Sequence, residues 1–137
     1  MKTFFDSSAL AKRYVDEPGS EAVDSLCMGA SELALSVICV PEIISALNRR
    51  LREKAISRSD YNQAKRCLSE DVRDAVVINL TPSVVSGCVS VLELNPVRAM
   101  DALHVACALE WKAQLFVSAD NRQISAARKV GLNVEQV

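Results

Sequence analysis

Short apolar runs of strand length alternate along the chain with longer stretches that keep helical spacing. Lys2–Phe5 is the first such run and closes on Asp6; Leu33–Ser36, Val76–Leu80, Leu115–Ser118 and Asn133–Val137 repeat the pattern. Between them, Ser7–Val15 reads as a helix with Ser7 as its N-cap, and Glu21–Met28 as a second after the break at Pro18-Gly19-Ser20. Val40–Lys54 carries Pro41 in its first turn, where a missing N–H does least harm, and Ile43, Ile44 and Leu47 at helical spacing. Ser57-Arg58-Ser59-Asp60 starts a helix that runs to about Ala75. Pro82–Leu94 is helical despite Gly87 and ends at Asn95-Pro96; Ala99–Ala113 is rich in alanine; Asn121–Val130 stops at Gly131.

Strands alternating with helices predict a parallel sheet covered on both faces. The expectation is a single domain over residues 1–137, an open α/β/α sandwich with a five-stranded parallel sheet. Ligands in such folds bind outside the carboxyl ends of the strands, where the strand order reverses.

Composition narrows the picture. Half of the residues are apolar and 24% charged, ordinary for a globular domain, and no apolar run reaches membrane-spanning length. The opening Met1–Asp6 has no apolar leader pattern, which predicts a cytoplasmic protein. The five cysteines form no CxxC pair and the chain has one histidine, so a zinc site is not expected; the thiols read as small reduced core residues. The net charge of −1 gives no overall attraction for nucleic acid, although Arg49, Arg50, Arg52, Lys54 and Arg58 cluster, as do Arg122, Arg128 and Lys129. A solvated helix face accounts for such clusters equally well.

The acids carry the chemistry. Asp6 closes the first strand and Asp120 follows Leu115–Ser118, while Glu42 and Asp101 fall in first turns of helices. Four acids from separate segments can therefore meet at the carboxyl edge of the sheet. Convergence has a cost: at roughly 4 Å and an effective dielectric near 20, each carboxylate pair is unfavourable by about 4 kcal/mol. Protonation or a divalent cation relieves it. Oxygen ligands without several Cys or His select Mg²⁺ or Mn²⁺, and those ions support phosphodiester hydrolysis. On spacing alone, Glu42 and Asp101 read as caps or partners of their helix dipoles more often than as ligands.

Other chemistries fit less well. No GxSxG elbow supports a serine nucleophile, and no Gly-rich loop cradles a nucleotide. A receiver-like phosphoaspartate site needs a second acid or a Lys beside Asp6, where Ser7 and Ser8 stand. His104, three residues after Asp101, reads as a supporting side chain of the site. Arg98 could orient Asp101, and Arg49 and Arg122 could grip RNA phosphates, which give affinity without sequence choice.

Asp6-Ser7-Ser8-Ala9-Leu10, Pro41-Glu42-Ile43, Arg98–Ala106 and Val117–Arg122 resemble, in order and spacing, the four acidic motifs of PIN-domain nucleases. Size and opening motif are similar to those of VapC toxins from toxin–antitoxin pairs. The resemblance implies a Mg²⁺- or Mn²⁺-dependent endoribonuclease, a homodimer, and inhibition by a VapB-type antitoxin. It puts Asp6, Glu42, Asp101 and Asp120 at the metal, with Ser7, Arg98 and His104 in support. A catalytically silent binding module of the same fold, or a DNA nuclease of related fold, are the competing expectations.

Overall fold

The computed structural model describes all 137 residues. Five parallel strands, β1 (Lys2–Phe5), β2 (Glu32–Ser36), β3 (Val76–Ile78), β4 (Leu115–Ser118) and β5 (Val134–Gln136), form one sheet in the order β3-β2-β1-β4-β5. The helices are α1 (Ser7–Leu10), α2 (Ser20–Gly29), α3 (Cys39–Arg52), α4 (Arg58–Asp74), α5 (Pro82–Leu94), α6 (Ala99–Trp111) and α7 (Asn121–Lys129).

The two-residue period of the strands divides the core. Phe4, Ala34 and Phe116 face α5, α6 and α7, and the rings of Phe4 and Phe116 stack at 5.7 Å. Phe5, Leu35 and Val117 face the other layer, built from α1 to α4 through Leu10, Val23, Ile43, Leu47 and Leu68. The result is the expected α/β/α sandwich. The order in which strands are added reverses between β1 and β4, because β2 and β3 lie to one side of β1 and β4 and β5 to the other.

Most boundaries lie within two residues of those read from the pattern, since caps fix them. Ser57 and Asp60 form a reciprocal capping box for α4. Thr81 caps α5 by accepting from Val84 N–H. Gly131, at φ +95°, completes a Schellman stop to α7, with Gly131 N–H donating to Arg128 O and Leu132 N–H to Ala127 O. The first helix differs from expectation. Asp6, not Ser7, is its N-cap, and after Leu10 the chain tightens into a 3-10 turn over Ala11–Arg13 instead of continuing to Val15. Asp6 has extended backbone angles and its carboxylate accepts from Ala9 N–H, so the cap lies one residue earlier. All five cysteines are free thiols; Cys39, Cys88 and Cys107 are buried, whereas Cys27 and Cys67 are half-buried. No helix is long and apolar enough to cross a membrane.

Candidate active site

Asp6 and Asp120 follow β1 and β4, and Glu42 and Asp101 lie in the first turns of α3 and α6. Asp6 N–H donates to Val117 O, which fixes the end of β1 against β4. Asp6 is fully buried. Ser118 Oγ donates to its Oδ2 at 2.5 Å, Ser8 Oγ to Oδ1 at 2.8 Å, and Ala9 N–H to Oδ1 at 2.9 Å. No Lys or Arg pairs with it. Burial pushes the Asp6 carboxyl above its ordinary range, against the lowering effects of His104 and these hydrogen bonds.

Glu42 enters from the first turn of α3 and is held from two sides. Ser7 Oγ donates to its Oε1 at 2.7 Å, and His104 Nε2 lies 2.5 Å from the same oxygen. His104 also reaches Ser7 Oγ at 3.2 Å and is buried. Burial would raise the Glu42 carboxyl, but the bonds from His104 and Ser7 and the charge of His104 outweigh it and hold it low. Ser7 therefore tethers Glu42 rather than capping α1.

Asp101 stands in the first turn of α6. Its Oδ1 accepts from Gln123 Nε2 of α7 at 3.1 Å. Burial, then the nearby negative charge of Asp120, push its carboxyl up, with Glu42 adding to the effect. Asp120 is the N-cap of α7 and accepts from Arg122 N–H at 2.8 Å. The four acids are thus linked in series: Asp6 beside Ser7, Ser7 on Glu42, Glu42 on His104, and Asp101 within electrostatic reach of His104, Glu42 and Asp120.

They are not gathered into a ready-made cage. No three His, Cys, Asp or Glu side chains form a group placed to hold a metal ion. The reason is local: each carboxylate is turned toward its own donors, Asp6 to two serines, Glu42 to Ser7 and His104, Asp101 to Gln123, and Asp120 to the α7 backbone. The donor set itself is all carboxylate oxygen, which suits a hard dication. A carboxyl pushed up by burial, Asp6, and one pushed up by burial and like charge, Asp101, are the kind of groups a cation would relieve.

Among the basic candidates, Arg122 lies two residues after Asp120, exposed on the first turn of α7. Arg98 is exposed, and its guanidinium forms no ion pair; Gln123 orients Asp101 instead. Arg49 lies two turns along α3 from Glu42, about 10 Å down the axis and away from the carboxylates. Sequence reasoning missed Ser8, Ser118 and Gln123 as supports. Ser8 bonds Asp6 from two residues on, whereas the Ser118 hydroxyl flanks Asp6 only because β1 and β4 are neighbours, a pairing that no local signal encodes.

Comparison with known proteins agrees with this fold. The chain is 27% identical over 106 residues to ribonuclease VapC45 of Mycobacterium tuberculosis, covering 77% of this chain and 74% of that protein, and to the same extent to ribonuclease VapC49. DNA-bound VapBC from Salmonella typhimurium superposes with a TM-score of 0.72 at 13% identity, over 99% of this chain and 98% of that one. VapC20 of M. tuberculosis, described as a sarcin-ricin loop cleaving toxin, gives a TM-score of 0.69 at 18% identity, covering 95% of each chain. At these identities the structural likeness is one of fold. A family-wide match extends over residues 3–129, from the strand that ends on Asp6 to the helix that Asp120 caps, and on that ground the chain belongs to the PIN domain family.

Proposed function

We propose that this protein is a Mg²⁺- or Mn²⁺-dependent endoribonuclease, the toxin of a VapBC-type pair, acting on RNA in the cytoplasm. The observation that carries the reading is the series of four acids around the ends of β1 and β4, with Asp6 pushed up by burial and Asp101 by burial and the charges of Asp120 and Glu42. Asp6, Asp101, Asp120 and Glu42 are the residues that would hold the ion. When bound there, it supplies charge neutralisation and Lewis-acid polarisation for phosphodiester hydrolysis.

The chain's own residues do the rest. Ser8 and Ser118 aim Asp6, and Gln123 aims Asp101. His104 and Ser7 keep Glu42 ionised and hold it in place. Arg122 offers a positive charge beside an otherwise acidic site, where RNA phosphates would be repelled.

The expected homodimer has a suitable surface. Helix α5 carries one charge, Glu93, and beside its buried row of Val84, Cys88 and Val91 it exposes an adjoining apolar row of Val85, Val89 and Leu92. An exposed apolar row of this kind suits a protein contact. Val89→Glu should convert a dimer to monomer in light scattering. A VapB-type antitoxin would be the second partner, consistent with the toxin–antitoxin assemblies that share this fold.

The decisive test is digestion of single-stranded RNA and single-stranded DNA with Mn²⁺. Asp6→Asn and Asp101→Asn should each slow RNA cleavage by more than about a hundredfold, beyond what loss of a supporting residue gives, with circular dichroism unchanged. Cleavage by both variants at the unaltered rate would refute the mechanism. A silent binding module is the second reading, favoured by the lack of a closed cage, and it would neither cut RNA nor take up Mn²⁺.

A further inference from the structure

Four clefts open on the surface, and their charges differ. The largest, about 530 Å³ between the 3-10 turn, α3 and α4, contains Arg13 and Arg50 but also Asp16 and Asp60. One beside Cys27 contains Asp71 and Asp74, and one around Pro18 contains Asp16, Glu17 and Glu21. The cleft of about 420 Å³ between the α5–α6 turn and the start of α7 has no acid in its lining and one cation, Arg122. A polyanion meets repulsion in the first three and none in the fourth.

That fourth cleft adjoins the carboxylates through the chain itself. Pro96 and Val97 form one wall and lead through Arg98 into the α6 turn that carries Asp101; Asn121 and Arg122 form the other and follow Asp120. Arg122 makes no ion pair, unlike Arg13 and Arg50, which are bound to Asp71, Asp24 and Glu17. The Asn121 side-chain carbonyl is occupied by Gln136, which leaves its amide nitrogen as a donor toward the cleft. Ser125 adds a hydroxyl, and Pro96, Val97 and Ala126 give an apolar surface.

A lining that combines donors with apolar side chains suits a base better than a bare phosphate. Single-stranded RNA is read by laying an unstacked base on apolar or guanidinium surfaces and bonding its edge. A guanidinium forks onto two adjacent acceptors, and guanine N7 and O6 supply them. We propose that this cleft is a nucleobase subsite, with guanine preferred, for the nucleotide next to the phosphate held at the acids. The proposal rests on the endoribonuclease reading for its substrate, and its test separates the two.

The probes are single-stranded uridine decamers with one guanosine, one adenosine or one 7-deazaguanosine at the centre. Wild-type protein should bind the guanosine decamer roughly tenfold more tightly than the other two by fluorescence anisotropy without divalent ions. With Mn²⁺ it should cut beside that guanosine. Arg122→Lys, which keeps the charge but not the fork, should erase the preference for the guanosine decamer; Ser125→Leu, which fills the cleft, should erase it as well. Equal binding of all three decamers by wild-type protein overturns the subsite, whether or not RNA is cut. Guanosine preference without any cleavage keeps the subsite and removes the nuclease reading.

Discussion

Asp71 and Asp6 are both set against packed side chains, and they are satisfied in opposite ways. Asp71 receives Arg13 Nε at 2.7 Å and Tyr14 Oη at 2.7 Å, while Arg13 Nη1 also reaches Asp24 at 2.8 Å. One guanidinium thereby ties the 3-10 turn to α2 and α4. Burial and then the bond to Asp71 push the Tyr14 hydroxyl up, so it remains a donor at any ordinary pH. Asp6 is more deeply buried, yet it has hydroxyls and one amide instead of a paired Lys or Arg. An acid given its own cation is a fastening. An acid buried without one is held in an unfavourable state that a bound cation or a proton would relieve.

This contrast can be broken first through activity. Arg13→Ala should leave RNA cleavage within about twofold of wild type, whereas Asp101→Asn should lose more than about a hundredfold. Equal losses in the two variants would erase the distinction.

Stability provides the next, smaller test. Asp71→Asn weakens a partly exposed ion pair and should lower stability by about 1 kcal/mol after allowance for solvent screening, or about 3–5 °C in Tm. Asp6→Asn should act with the opposite sign. Its Oδ1 can still cap Ala9 N–H, its Nδ2 can donate to the Ser8 and Ser118 hydroxyls, and the buried charge is gone. A rise in Tm of about 3 °C is expected without divalent ions.

The smallest effect is in the pH dependence. Asp6 and Asp101 have folded-state pKa values above their ordinary 3.8, so the folded protein binds more protons than the unfolded chain between that value and the raised ones. Their contribution therefore stabilises as pH falls from neutrality through that window. Glu42 is held below its ordinary 4.5, so its contribution is present above that value and lost on further acidification. Thermal melts of wild type against the Asp6→Asn, Asp101→Asn double variant should show wild type gaining Tm relative to the double variant as pH falls below 7. A constant difference across that range would contradict the raised values.

The fold was legible because its signals are local. Pro82–Leu94 and Leu115–Ser118 were readable to the residue, one opened by a threonine cap and Pro82 and closed by Asn95-Pro96, the other by its apolar run. The four acids were legible as positions, since each sits at a strand end or first helical turn. Their side-chain state was not. That Ser7 tethers Glu42 across 35 residues, or that Gln123 orients Asp101 from α7, depends on the packing of distant elements. The reading of Ser7 as a cap failed because Asp6 caps the helix with the same carboxylate that the site uses.

Whether the carboxylates around the ends of β1 and β4 hold a hard dication is read from calorimetric titration of Mn²⁺ into the folded protein. Wild-type protein should give a saturable heat that disappears in Asp101→Asn and persists in Asp71→Asn. A flat titration of wild-type protein, or a heat that survives Asp101→Asn unchanged, would contradict binding there.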